Sequence, residues 1–276
     1  MLFRSGRADV VLALGTEIGR TDYDMYDRGD FEISGRLIRI EIDPEQMRRG
    51  AVPDLALLGD AGEAAAALLA ALGEGSPAPD GAARAGAARA AAYEETGAEY
   101  RATLGFIETV RDTLPEAPIF GDSTQAIYAG NLYFAAPAPN RWFNASTGYG
   151  ALGYGLPAAI GAARATGGTV VCIAGDGGLQ FTLTELGAAV EEGLRVIVLV
   201  WNNQGYGEIK SYMVERQITP VGVDLHTPDF VAIAKAYGMA GVRMETLDAL
   251  PALLGEAAAR PGPTLIEFDQ SVVLGG

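Results

Sequence analysis

TVVCIAGDGGLQFTLTELGAAVEEGLRVIVLVWNNQGYGEIK, residues 169–210, reads as a strand, a sharp Gly-Asp-Gly turn, an amphipathic helix and a second strand that runs into Asn202-Asn203. The apolar runs at 169–174 and 195–201 are rich in Val and Ile, and the segment between them has a helical period. That pattern predicts a βαβ unit with buried parallel strands. Asp176 and Asn203 then fall at the carboxyl ends of neighbouring strands, where open α/β sheets bind ligands.

Asp176 and Asn203 each present one hard oxygen at that edge. A carboxylate, an amide oxygen and a nearby main-chain carbonyl suit an octahedral Mg2+ that completes its shell with phosphate oxygens and water. Gly177 and Gly178 lack a Cβ, so their backbone N–H groups can approach an anion at the start of the following helix. The residues alone therefore point to a site for a Mg-diphosphate. The plain alternative is a turn followed by a strand terminator.

Gly-Asp-Gly, a little under thirty residues and then Asn-Asn resembles the cofactor motif of thiamine diphosphate (ThDP)-dependent enzymes. The resemblance implies that Asp176, the side chain of Asn203 and the main-chain carbonyl of Gly205 are metal ligands. It also implies an α/β fold: a doubly wound parallel sheet that forms the ThDP diphosphate-binding domain, preceded by a partial Rossmann-like α/β central domain. The expected boundaries are 1–72 for the partial central domain, 73–100 for a linker and helical connector, and 101–276 for the diphosphate-binding domain.

Bulk properties narrow the function classes. At 276 residues the chain can build about two domains with sizeable cores. Its net charge of -15 argues against nucleic acid as a partner. The one cysteine, Cys172, lies in a buried strand, no apolar run suits a signal peptide core or a membrane span, and the expectation is a cytoplasmic protein. The one histidine, His226, sits in a turn before a helix cap, which excludes a multi-histidine metal site and disfavours a histidine-based triad.

Upstream, residues 9–14 and 36–42 read as strands, the second with Ile38, Ile40 and Ile42 on one face, and a helix capped by Asp60 runs to Leu72. Ile42-Asp43-Pro44 resembles the end of the central domain in acetolactate synthase-like ThDP enzymes. Several members hold FAD there, but residues 16–31 depart from the Arg-Phe-Asp-Asp-Arg type sequence of the flavin binders, so FAD is the weaker alternative. Residues 73–81 have a linker's Gly and Pro content, and the Ala/Arg/Glu-rich stretch to Tyr100 reads as an outer helix. Leu104, Ile107, Val110 and Leu114 mark the buried face of the next helix.

Ser123 and Thr124 open a helix after a short strand at 118–121, where their hydroxyls suit either an anion or a plain N-cap. Gly148, Gly150 and Gly153 fit G-x-G-x-x-G, but no long apolar strand leads in and no acidic residue follows at the spacing a ribose needs. Residues 153–159, GYGLPAA, resemble instead a segment of acetolactate synthases and related decarboxylases. By that resemblance Leu152 lies under the bent cofactor, its main chain pairs with a ring nitrogen, and the Gly150 carbonyl accepts from the aminopyrimidine. Beyond Asn203, Tyr206, Glu208 and Lys210 are candidates for the pocket wall, or else solvated helix positions.

The resemblance implies ThDP- and Mg2+-dependent decarboxylation of a 2-oxo acid, with ligation to a second oxo acid as a variant. Residues 201–213 resemble decarboxylases of larger cationic oxo acids. The activating glutamate of the family comes from a pyrimidine-binding domain that no segment here resembles; Glu185 matches a different family position and reads as structural. The expectation is a chain inactive alone that works as a homo-oligomer or with a partner chain carrying that domain. Two other classes stay open: a noncatalytic remnant or partner-binding subunit, and a nicotinamide-dependent oxidoreductase.

Overall fold

A computed structural model describes residues 8–16, 18, 33–73, 75, 80–146 and 149–275. The chain forms two compact units, Met1–Glu95 and Thr96–Gly276. In the first, strands β1 (Val10–Leu14), β2 (Arg36–Glu41) and β3 (Leu55–Leu58) make a parallel sheet in that order. Helix α1 (Ala61–Leu72) starts where the sequence predicts, because Asp60 Oδ1 accepts from the N–H groups of Gly62 and Glu63. Helix α2 (Gly81–Glu95) buries no residue, as its thin apolar content implies.

Two details of this unit differ from expectation. β3 goes unpredicted, since Leu-Ala-Leu-Leu is too short to separate strand from helix by period. Ile42 lies past the end of β2 and is exposed, because the sequence turns there at Asp43-Pro44. Residues 17 and 19–31 of the segment considered for FAD and part of the 73–81 linker fall outside the described residues, as does Gly148.

The second unit contains β4 (Ile119–Gly121), β5 (Trp142–Asn144), β6 (Val170–Gly175), β7 (Val196–Asn202), β8 (Ala240–Arg243) and β9 (Thr264–Asp269). They form one parallel sheet in the order β5-β4-β6-β7-β9-β8. Both faces are buried, and the strand residues alternate between them. Val171, Ile173, Ile197, Leu199 and Trp201 join one core with α3 (Ala98–Thr113), α4 (Gln125–Tyr133) and a helix at Leu250–Ala259. Val170, Cys172, Ala174, Val196, Val198 and Val200 join the other, with α5 (Gly155–Thr166), Glu185–Glu191 and Phe230–Ala236. A strand buried on both faces must be apolar at every position, which is why 169–174 and 195–201 read as unbroken runs.

The helix after Gly-Asp-Gly is not continuous. Asp176–Leu179 makes one turn, Gln180–Thr182 tightens to a 3-10 turn, and Glu185–Glu191 follows as a further helical segment. Thr182 explains the break: its hydroxyl donates to the Gly153 carbonyl at 3.0 Å, and a β-branched residue committed to another segment supports a regular helix poorly. Three rings anchor the core beneath the carboxyl edge, with Phe106 at 5.8 Å from Trp201 and 5.2 Å from Phe268 between centroids. Phe106→Ala is expected to lower the unfolding free energy by about 3–5 kcal/mol, read as a fall in the urea midpoint by circular dichroism.

Candidate functional site

β4 and β6 are neighbours, but the chain reaches β6 only after passing through β5 on the far side of β4. This reversal makes a crevice at the carboxyl ends of β4 and β6, the usual ligand position in such sheets. A cavity of about 200 Å3 opens there. Ser123, Thr124, Gly150, Leu152, Gly177 and Gly178 line it, together with Asn203 and Gly205. Tyr206 and Glu208 complete its wall, whereas Lys210 points elsewhere and pairs with Asp224 at 2.6 Å.

Asp176 is fully buried below this cavity. Its Oδ2 accepts from the Thr227 hydroxyl at 2.9 Å, and its Oδ1 accepts from the Asn203 N–H at 3.4 Å. Burial pushes its carboxyl above the ordinary range, and these donors, with the Gly177 N–H, pull the other way. Asn203 Oδ1 stands 2.8 Å from the Gly205 carbonyl oxygen and 3.1 Å from Asp176 Oδ1. Asp176 Oδ1 and the Gly205 carbonyl oxygen thus both converge on the Asn203 side-chain amide. With the amide turned over, Nδ2 donates to both oxygens instead. Among the described residues there is no cluster of three His, Cys, Asp or Glu side chains that would hold a metal.

Glycine is required here for packing as well as for anion approach. A Cβ on Gly177 would come within 2.8 Å of the Tyr206 ring, and one on Gly178 within 3.0 Å of Asp122 Oδ2. Gly205 has φ +156°, and a Cβ there would stand 2.2 Å from the Val223 carbonyl oxygen. Leu152 packs toward Gly178, and Gly150 takes φ +63° at the cavity wall. Thr124 occupies the N-cap of α4, yet its side chain makes no cap hydrogen bond, so the plain capping role is absent.

Asp122 and Thr227 were not singled out by the sequence reading. Asp122 is buried, its Oδ1 accepting from the Ser123 N–H and its Oδ2 from the Gly153 N–H, both at 2.8 Å. It ties the end of β4 to the loop that carries Gly150 and Leu152. Burial raises its carboxyl pKa, and backbone donors offset part of the effect. In the sequence Asp122 looks like any turn residue and Thr227 like a helix opener; only their distant partners reveal them. His226 is exposed.

The family model for the thiamine pyrophosphate enzyme, C-terminal TPP binding domain, matches residues 122–268. Probable 2-ketoarginine decarboxylase AruI of Pseudomonas aeruginosa is 40% identical over 270 residues, 95% of this chain and 47% of that protein. Acetolactate synthase isozyme 3 large subunit of Escherichia coli is 30% identical over 262 residues, 91% of this chain and 45% of that protein. A solved benzoylformate decarboxylase from Polynucleobacter necessarius shares the fold, with a TM-score of 0.70 and 21% identity over 95% of this chain and 49% of that one. The chain spans about half the length of the curated relatives it matches.

Asp122→Ala leaves the Ser123 and Gly153 N–H groups without their acceptor. Stability is expected to fall by about 1–3 kcal/mol in urea unfolding, and a change below about 0.5 kcal/mol would show that the carboxylate does not hold this loop.

Proposed function

We propose, because this chain belongs to the family of thiamine pyrophosphate enzymes through its C-terminal TPP binding domain, that Asp176, Asn203 and the Gly205 carbonyl hold a Mg2+ on the diphosphate of ThDP. The reading is supported above all by the convergence of Asp176 Oδ1 and the Gly205 carbonyl oxygen on the Asn203 side-chain amide, at 3.1 and 2.8 Å. Octahedral Mg2+ binds oxygen at about 2.0–2.1 Å, which sets adjacent ligands about 3 Å apart. Asn203 turns its oxygen inward to hold the cation and its nitrogen inward without it. A cation also offsets the burial that disfavours the charged Asp176.

ThDP, when bound, supplies the thiazolium carbon that takes up the electrons released as a 2-oxo acid loses CO2. This chain's residues bind and orient it. Thr227 fixes one oxygen of Asp176, so the other faces the metal. Ser123 and Thr124, at the start of α4, offer hydroxyls to the diphosphate. Gly177 and Gly178 let it approach the backbone, and Leu152 and Gly150 form the wall assigned to the bent pyrimidine side. The glutamate that activates the pyrimidine is assigned to a pyrimidine-binding domain on a partner chain or second copy. FAD has no assigned residues. We place the protein in the cytoplasm; among the described residues no helix is long and apolar enough to cross a membrane.

The substrate reading is a 2-oxo acid with a cationic tail. A second cavity of about 270 Å3 adjoins the first, sharing Gln125 and Glu208 with it. Glu99 and Glu215 also line it. Burial, and then the charge of Glu215, push the Glu208 carboxyl above its ordinary range. A guanidinium or ammonium tail there relieves both effects, in keeping with the name of the Pseudomonas relative. Ligation to a second oxo acid, as the acetolactate synthase names imply, is the second reading.

Calorimetric titration with ThDP is expected to show binding that requires Mg2+ and weakens at least about tenfold in Asp176→Ala; binding indifferent to metal and to this substitution refutes the ligand assignment. With a chain supplying the pyrimidine-binding domain, Glu208→Gln is expected to raise KM for 5-guanidino-2-oxopentanoate about tenfold and leave that for an uncharged 2-oxo acid unchanged. Equal effects on both substrates would count against the cationic-tail pocket.

A further inference from the structure

The turn that carries Asn203 and Gly205 is held from behind by groups that the site above does not use. Glu267, near the carboxyl end of β9, is 3% exposed, a position where a carboxylate persists only when paired. Its Oε2 accepts from Arg243 Nη2 at 2.9 Å and its Oε1 from Asn202 Nδ2 at 2.8 Å. The amide of Asn202 is thereby oriented: its nitrogen faces Glu267, so its oxygen faces the turn and accepts from the Gln204 N–H at 3.1 Å. Gln204 has φ +61°, a left-handed conformation that costs a residue with a side chain about 1–2 kcal/mol. It therefore needs an outside partner to persist. The next carbonyl but one along the backbone from Asn203 is that of Gly205, which lies 2.8 Å from the Asn203 side-chain amide.

We infer that Arg243, Glu267 and Asn202 form a positioning relay that sets the Asn203–Gly205 turn in its metal-holding shape. None of the three touches the ion; the inference rests on the Mg2+ assignment above. A bystander role is the main competitor, because Arg243 also reaches Asp229 Oδ1 at 3.4 Å and so helps join β8 to the helix that Asp229 caps. The two roles separate at Asn202. On the turn side, losing its amide removes the acceptor of the Gln204 N–H and leaves the turn to its backbone contacts with Val223 and Leu225; on the strand side, the Arg243–Glu267 pair stays intact. Partners that orient metal ligands without touching the metal typically change affinity about 10–100-fold.

Mn2+ in place of Mg2+ makes this measurable by electron paramagnetic resonance, which reads free Mn2+ directly with ThDP in excess. Asn202→Ala and Glu267→Leu are each expected to weaken Mn2+ binding about tenfold, and the double variant no more than either single, as linked groups do. Glu267→Gln, which keeps an acceptor for Asn202, is expected to retain most of the affinity. Because Asn202→Ala leaves Glu267 Oε1 without its donor, its unfolding free energy is expected to fall by about 1–3 kcal/mol, so Mn2+ affinity is compared under conditions where circular dichroism shows each variant folded. The relay is overturned if Asn202→Ala binds Mn2+ within about twofold of the parent, or if the double variant loses the product of the two single losses. Should Glu267→Leu fail to fold, Asn202→Ala and Glu267→Gln decide the matter. A parent protein that binds no Mn2+ refutes instead the ligand assignment on which the relay rests.

Discussion

Asp176 is a fully buried carboxylate at the end of an inner strand, facing the side-chain amide of Asn203. Burying a charge is costly unless donors or a cation match it, and here a hydroxyl and backbone N–H groups match only part of it. The remainder of the arrangement follows from that need. The Asn203 N–H and side-chain amide both reach that carboxylate, and the same amide lies 2.8 Å from the Gly205 carbonyl, so the turn between them is tight. Its tightness excludes a Cβ at 205 and drives Gln204 into a left-handed conformation.

Such a turn is possible only because the sheet beneath it is stiff. β6 and β7 are buried on both faces and interdigitate with two separate cores, so their carboxyl ends are fixed relative to each other. Polar side chains are excluded from the strand interiors and collect where the strands stop. The same logic brings Asp122 from the end of β4 and Thr227 from a distant loop to the one crevice, each paired to a group that no local pattern would suggest.

Much of this was legible in the residues. The unbroken apolar runs announced parallel strands covered on both sides, Asp60 caps the helix that its position suggests, and Leu104, Ile107 and Val110 are buried along one helix face. Errors came where local signals are short or overridden. The three residues of β5 and four of β3 carry too little period to be read. The helix after Gly-Asp-Gly breaks because Thr182 is drawn to Gly153. Of the two readings left open for Lys210, the solvated helix position is the one it takes, paired with Asp224.

By itself the sequence determined the α/β class, the parallel pairing around residues 169–201, the carboxyl-edge position of Asp176 and Asn203, and the resemblance to ThDP-dependent enzymes. Those depend on residue types repeating over short windows, and hydrophobic burial converts such repeats into elements whatever lies far away. Tertiary structure alone decided which oxygens converge on the Asn203 amide, that Glu208 stands between two cavities, and that Glu267 reaches Asn202 across 65 residues of chain. Those are distances between side chains on different strands, set by strand order and register, and no local pattern encodes them.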